Sequence, residues 1–141
     1  MAAKEFTYDV LLEDGGVLLA DGEGAIDAPE AWKPDHFLVA ALLTCGLQSL
    51  RHHAERAGLE SSGRGEGRAL VMKREADERY AVVEIVASYE VALQPDPGDE
   101  SAAELLHKAQ RDCFVGASLT VAPEYRWTVN GRPVSARAAP S

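Results

Sequence analysis

Two cysteines, Cys45 and Cys113, are the residues of this 141-residue chain best suited to chemistry. A thiolate is a nucleophile, and two thiols that can meet support a cycle in which one sulfur attacks and the other resolves. The separation, 113 minus 45 or 68 residues, is not diagnostic; the placement is, because each cysteine falls on the inward side of one of two predicted helices. Taken singly, each reads as a small, well-packed hydrophobe. Asp35 precedes Cys45 by ten residues, ~15 Å along a straight helix, so it does not reach the sulfur directly. It is either a helix-start carboxylate or the holder of a cation that in turn contacts the thiol. His52 follows Cys45 by seven residues on nearly the same face, in a polar surround that marks a surface histidine. His52 and His53 face different ways and no Cys-x-x-Cys or His-x-x-x-His occurs, so neither a metal nor a cofactor is expected.

The element that must position Cys45 is the stretch His36 to Ala57. From Phe37 to Leu47 almost every residue is apolar or small, which predicts a helix buried on all sides. The run is too short to span a bilayer, which needs ~20 such residues. Beyond Leu47, Leu50, Ala54 and Ala57 keep one apolar stripe. Lys33-Pro34-Asp35 signals the start and Gly58 the stop. Cys113 needs a second helix, predicted from Ser101 with Ser101 and Glu104 as a capping box and Ala102, Leu105, Leu106, Ala109 and Cys113 on one face.

Around these lie predicted strands. Phe6, Tyr8, Val10 and Leu12 alternate as in a half-buried strand, Asp14-Gly15-Gly16 turns, Val17 to Ala20 returns, and Ala25 to Asp27 adds a short third strand. Ala28 to Lys33 is a loop. The run Ser61 to Gly67 lacks the context of a phosphate loop and reads as a flexible connector. Ala69 to Arg74 and Ala81 to Leu93 are strands joined by Asp77-Glu78-Arg79; the second, with Ala81, Val83, Ile85, Ala87, Tyr89, Val91 and Leu93 on one face, is the clearest in the chain. Tyr125 to Val129 is the last strand, closed by Asn130-Gly131, and 132–141 is a loose tail. The order is β-β-(β)-α-β-β-α-β, an α+β pattern in one domain spanning 1–141.

Composition excludes several classes. With 23 acidic and 14 basic residues the formal charge is -9, which argues against nucleic acid and against anionic membrane surfaces. The first ten residues hold no apolar signal region, so a cytoplasmic location with reduced thiols is expected, and a structural disulfide is the least favoured role for the cysteines.

Pro34-Asp35-His36-Phe37-Leu38-Val39-Ala40-Ala41-Leu42-Leu43-Thr44-Cys45, followed by Leu47, Ser49-Leu50 and Ala54 to Leu59, resembles the OsmC/Ohr family, as do Ala103 to Leu106, Ala109, Cys113 and Ser118-Leu119 in the second half. The resemblance implies an OsmC-like fold, with antiparallel sheets wrapped around two central helices in an intertwined homodimer. It implies a thiol-dependent peroxidase acting on organic hydroperoxides, with Cys45 peroxidatic, Cys113 resolving, and an external dithiol as reductant. Asp35 matches the position where the family often carries a glutamate that holds an activating arginine. The chain departs from the pattern in the hairpin from Tyr8 to Asp27, which contains no arginine or lysine. Lys33, Arg51, or Arg68 or Arg126 supplied by a second subunit are the candidate replacements. The alternative implied by this departure is an OsmC-fold protein without peroxidase activity that binds a small apolar ligand or serves as a scaffold.

Overall fold

The computed structural model describes residues 4–20, 22–27 and 29–138, which fall into two compact units, Met1–His36 and Phe37–Ser141. The first unit is a meander of three antiparallel strands: β1 (Val10–Leu12), β2 (Val17–Ala20) and β3 (Gly24–Asp27). Leu11 pairs with Leu19, and Leu18 with Ile26. The β1–β2 turn needs two residues at positive φ, and Gly15 and Gly16 supply them. The strand expected from Phe6 is ordered as β only from Val10. Asp21, in the second expected turn, Ala28, in the expected loop, and 139–141, in the expected tail, lie outside the described residues.

Helix α1 runs Pro34–Arg56. At its end Gly58 adopts φ 79° and the Leu59 N–H reaches back 2.8 Å to the Ala54 carbonyl, a Schellman closure. Burial on all sides is not what this helix shows. Its buried stripe is Leu42, Cys45, Gly46, Leu50 and Ala54, while Ala41, Thr44 and Gln48 are exposed. The reason is that the single chain covers α1 on one side only.

The second unit holds a four-stranded sheet in the order β4-β5-β6-β7, formed by β4 (Glu60–Lys73), β5 (Tyr80–Gln94), β6 (Glu124–Val129) and β7 (Arg132–Val134). The glycine-rich stretch expected to be a connector is the first half of β4. Two of its glycines make room for the helix above: a Cβ on Gly67 would lie 2.5 Å from Val39 Cγ1, and one on Gly65 3.0 Å from the Tyr89 ring and 3.3 Å from Leu43. They let α1 settle closely on the sheet. The sheet is also mixed where all pairs were expected antiparallel. β5 and β6 run parallel, Tyr89 opposite Trp127, because residues 95–123 cross over between them. The expected tail begins instead with β7, which Asn130 (φ 50°) and Gly131 (φ 81°) turn back onto β6.

The crossover carries α2 (Asp99–Arg111) and the short α3 (Phe114–Ala117). α2 starts two residues before Ser101. Gly98 is its N-cap and no side chain caps it, so the expected capping box is unused. Asp99 and Glu100 instead place charge at the positive end of the helix dipole. Ser49 Oγ on α1 donates to the Ala109 carbonyl at 2.8 Å, joining the two long helices. The core between helices and sheet centres on Leu42, Leu50, Ile85, Leu93, Leu106 and Val129.

Candidate active site

Cys45 sits in the middle of the buried stripe of α1. Cys113, expected on the inward face of the second helix, lies two residues beyond the end of α2 and is the N-cap residue of α3. The two elements bring the thiols into one buried cluster, where the Cys113 side chain bears on the Cys45 thiol, and both are free. Cys113 is fully buried and Cys45 is 7% exposed. Burial pushes the Cys45 thiol above its ordinary range, and the neighbouring Cys113 thiol adds to that. Against this, the backbone N–H groups of Val115 and Phe114, at the start of α3, pull it down.

Two tyrosines complete the cluster. The Tyr89 hydroxyl donates to the carbonyls of Leu42 and Leu43, each at 3.2 Å, three and two residues before Cys45. It lies so close over Gly46 that no Cβ fits there. The Tyr125 hydroxyl is seated in the same way over Gly116. Between the two tyrosines lies Trp127, stacked on Tyr89 at 4.4 Å between centroids and on Tyr125 at 6.4 Å, with its indole N–H donating to Gln110 Oε1 at 2.8 Å. Burial, first among the causes, holds both phenols far above their usual range, so they are protonated at any ordinary pH. These aromatic residues were not singled out from sequence as site residues. Their only signal is an inward register on β5 and β6, which core residues share.

The remaining candidates lie apart from the thiols or on the surface. Asp35 is exposed in the first turn of α1. His52 is exposed, its ring edge-on to His53 at 5.1 Å. His53 contacts Asp112 Oδ2 at 2.7 Å. The Arg111 guanidinium, and His53 after it, hold the Asp112 carboxyl down to about 2. Of the candidate cations, Arg68 and Arg126 occupy sheet positions that alternate with Gly67 and Trp127, and so face away from α1. Arg126 donates from Nε to Glu124 Oε2 at 2.6 Å. Arg51 and Lys33 are exposed. Among the described residues no group of three or more His, Cys, Asp or Glu forms a metal site, and no helix is long and apolar enough to cross a membrane.

Residues 27–128 match the family model described as OsmC-like protein. Among solved structures, the chain is similar to the organic hydroperoxide resistance protein OhrB of Bacillus subtilis, at 23% identity and TM-score 0.60 over 87% of this chain and 98% of that one. It is also similar to an OsmC-like protein of unknown function from Vibrio cholerae, at 16% identity and TM-score 0.72 over 89% and 100%. An organic hydroperoxide resistance protein OsmC from Legionella pneumophila matches at 15% identity and TM-score 0.64 over 90% and 100%. A comparison with curated proteins gave no match.

Proposed function

The chain belongs to the OsmC-like protein family, and from that premise we propose that it is a thiol-dependent peroxidase for organic hydroperoxides. The observation that carries the reading is that Cys45 and Cys113, both free, are buried in one apolar core cluster. Cys45 is the attacking sulfur. Its thiolate takes the distal peroxide oxygen, the O–O bond breaks, and the alcohol leaves with a proton, giving the Cys45 sulfenic acid. Cys113 then attacks that sulfur, and water departs as the disulfide closes. An external dithiol restores both thiols. The lining from Leu42, Leu43 and Val115 favours an alkyl hydroperoxide over hydrogen peroxide.

Ionisation is the demanding step, because burial works against it. The N–H groups of Val115 and Phe114 oppose the burial within this chain. The family's arginine is missing from residues 8–27, so a cation held by Asp35, or one from a second subunit, supplies the rest. We take the protein to be a cytoplasmic homodimer. In support, Val10, Leu11, Leu12 and Ile26 are all exposed in the single chain, more apolar surface than a strand face keeps in water unaided.

The test is to mix reduced protein with cumene hydroperoxide and count free thiols. The expected result is loss of both cysteines at a modest excess of peroxide, and survival of both defeats the reading. The hairpin without a cation favours a second reading, a member of the fold that binds a small apolar ligand without turnover. It predicts slow peroxide reaction and a Cys45→Ala protein that still binds ligand.

A further inference from the structure

α2 stops on an irregular turn. In a continuing helix the Cys113 N–H would close on the Ala109 carbonyl, four residues back. It closes on the Gln110 carbonyl instead, at 3.3 Å. The Ala109 carbonyl, in a fully buried residue, accepts from Ser49 Oγ of α1 at 2.8 Å. A buried carbonyl left unpaired is costly, so this hydroxyl is what allows the helix to open there. Cys113 leaves α2 in an extended conformation, φ -75° and ψ 95°, and its carbonyl accepts from the Ala117 N–H at 3.0 Å as α3 begins. A second bond secures the same turn. His53 Nε2 lies 2.7 Å from Asp112 Oδ2, and Arg111 braces that carboxylate from Nε and Nη2, each at 2.9 Å. Cys45, Ser49 and His53 follow one another at four-residue spacing, so the helix face that carries the attacking sulfur also carries both holds on the Cys113 turn.

We propose that Ser49 is a positioning residue for Cys113: its hydroxyl holds the Ala109 carbonyl in place of the Cys113 N–H, and so keeps the end of α2 open in the geometry from which Cys113 closes onto Cys45. His53 steadies the same turn through Asp112. This rests on the redox pairing of the two cysteines proposed above. In the step concerned, Cys113 Sγ gives an electron pair to the sulfur of the Cys45 sulfenic acid. The S–S bond forms as the S–O bond breaks, and the departing hydroxide takes the Cys113 thiol proton and leaves as water. Ser49 moves no proton and acts through the backbone. Without its hydroxyl the Cys113 N–H is free to close on Ala109, α2 winds on, and the Cys113 side chain is carried off its place. Such a shift matters because a disulfide needs its Cα atoms within about 7 Å.

The experiment treats reduced protein with cumene hydroperoxide and follows peroxide loss and disulfide closure separately, with dimedone to capture any sulfenic acid that lingers. For Ser49→Ala, peroxide loss is expected to stay within about twofold of wild type while closure slows about fivefold, the scale of one neutral hydrogen bond. The dimedone adduct on Cys45 is expected to rise with it. Ser49→Thr, which keeps the hydroxyl, is expected to close at nearly the wild-type rate. If Ser49→Ala fails to fold, His53→Ala removes the second hold and carries the test, with closure expected to slow about threefold. Wild-type closure in the alanine variants, a Ser49→Thr protein as slow as Ser49→Ala, or an equal loss in both steps each overturns the inference. Diamide, which oxidises a dithiol directly and is itself reduced to the hydrazine, separates this from the peroxidase reading. When diamide-closed protein is equilibrated with glutathione, Ser49→Ala is expected to shift the balance about fivefold toward the open dithiol. That shift in a protein whose thiols cumene hydroperoxide spares keeps the role of Ser49 and defeats the peroxidase reading. No shift, or no intramolecular disulfide with diamide, overturns the inference.

Discussion

Residues of the same kind meet opposite fates in the two units. In β1 and β3, Val10, Leu12 and Ile26 are 66%, 65% and 62% exposed, whereas Ile85 and Leu93 on β5 are 2% and 0% exposed. All are β-branched or leucine residues in strands with good local pairing. What separates them is cover: β5 has α1 and α2 over one face, while no described residue of the first unit is buried. Strand chemistry makes a ladder, but only a second layer turns apolar side chains into stability.

The sharpest way to break this contrast is chemical. Replacing Cys45 with serine is expected to abolish thiol-dependent consumption of cumene hydroperoxide, measured by residual peroxide; retained turnover would move the chemistry out of the second unit. Next in size, Leu106→Ala is expected to cost about 2–5 kcal/mol in guanidinium unfolding. Leu11→Ala is expected to cost under about 0.5 kcal/mol for the isolated chain. An equal loss at Leu11 would mean that another surface covers the first unit, and sedimentation of both proteins would reveal a dimer. Gly67→Ala is expected to cost about 1–3 kcal/mol through its collision with Val39, whereas Gly22→Ala meets only the strain of φ 72°, with no neighbour in the way.

Two smaller effects depend on pH. Because burial raises the Cys45 thiol, its alkylation by iodoacetamide should climb about tenfold per pH unit through pH 9 without levelling; a plateau near neutrality would reveal an activating cation. Asp112 is held down to about 2 in the fold, below its usual ~3.9. A depressed carboxyl stabilises the fold above the unfolded value and stops doing so as pH falls through the folded one. The Asp112→Asn protein should therefore melt below wild type at pH 6 by less than about 1 kcal/mol, given the exposure of the pair. The two should converge near pH 2.

Much of this was legible in the residues. The alternation from Ala81 to Leu93 is β5 and the apolar run before Cys45 is α1, whereas Cys113, expected on the second helix, lies just beyond it at the start of α3. Three features escaped for physical reasons. Gly63, Gly65 and Gly67 look like loop residues because glycine marks turns, and only the close approach of β5 to Gly63 and of α1 to Gly65 and Gly67 explains them as strand. Asn130-Gly131 reads equally as a stop or as a hairpin, and Pro133 in a three-residue strand tips the reading to a stop. Tyr89, Tyr125 and Trp127 look like core because a phenol aimed at a helix backbone has the same periodicity as one aimed at a leucine.

The parallel pairing of β5 with β6 has a consequence for biosynthesis. Cys113 lies in the crossover, and that crossover cannot be pinned until β6 reaches its place beside β5. While the ribosome has yet to deliver residues 124–129, the earlier cysteine has no fixed partner. The pair is thus assembled only once the chain is nearly finished, and a nascent protein carries its two sulfurs apart.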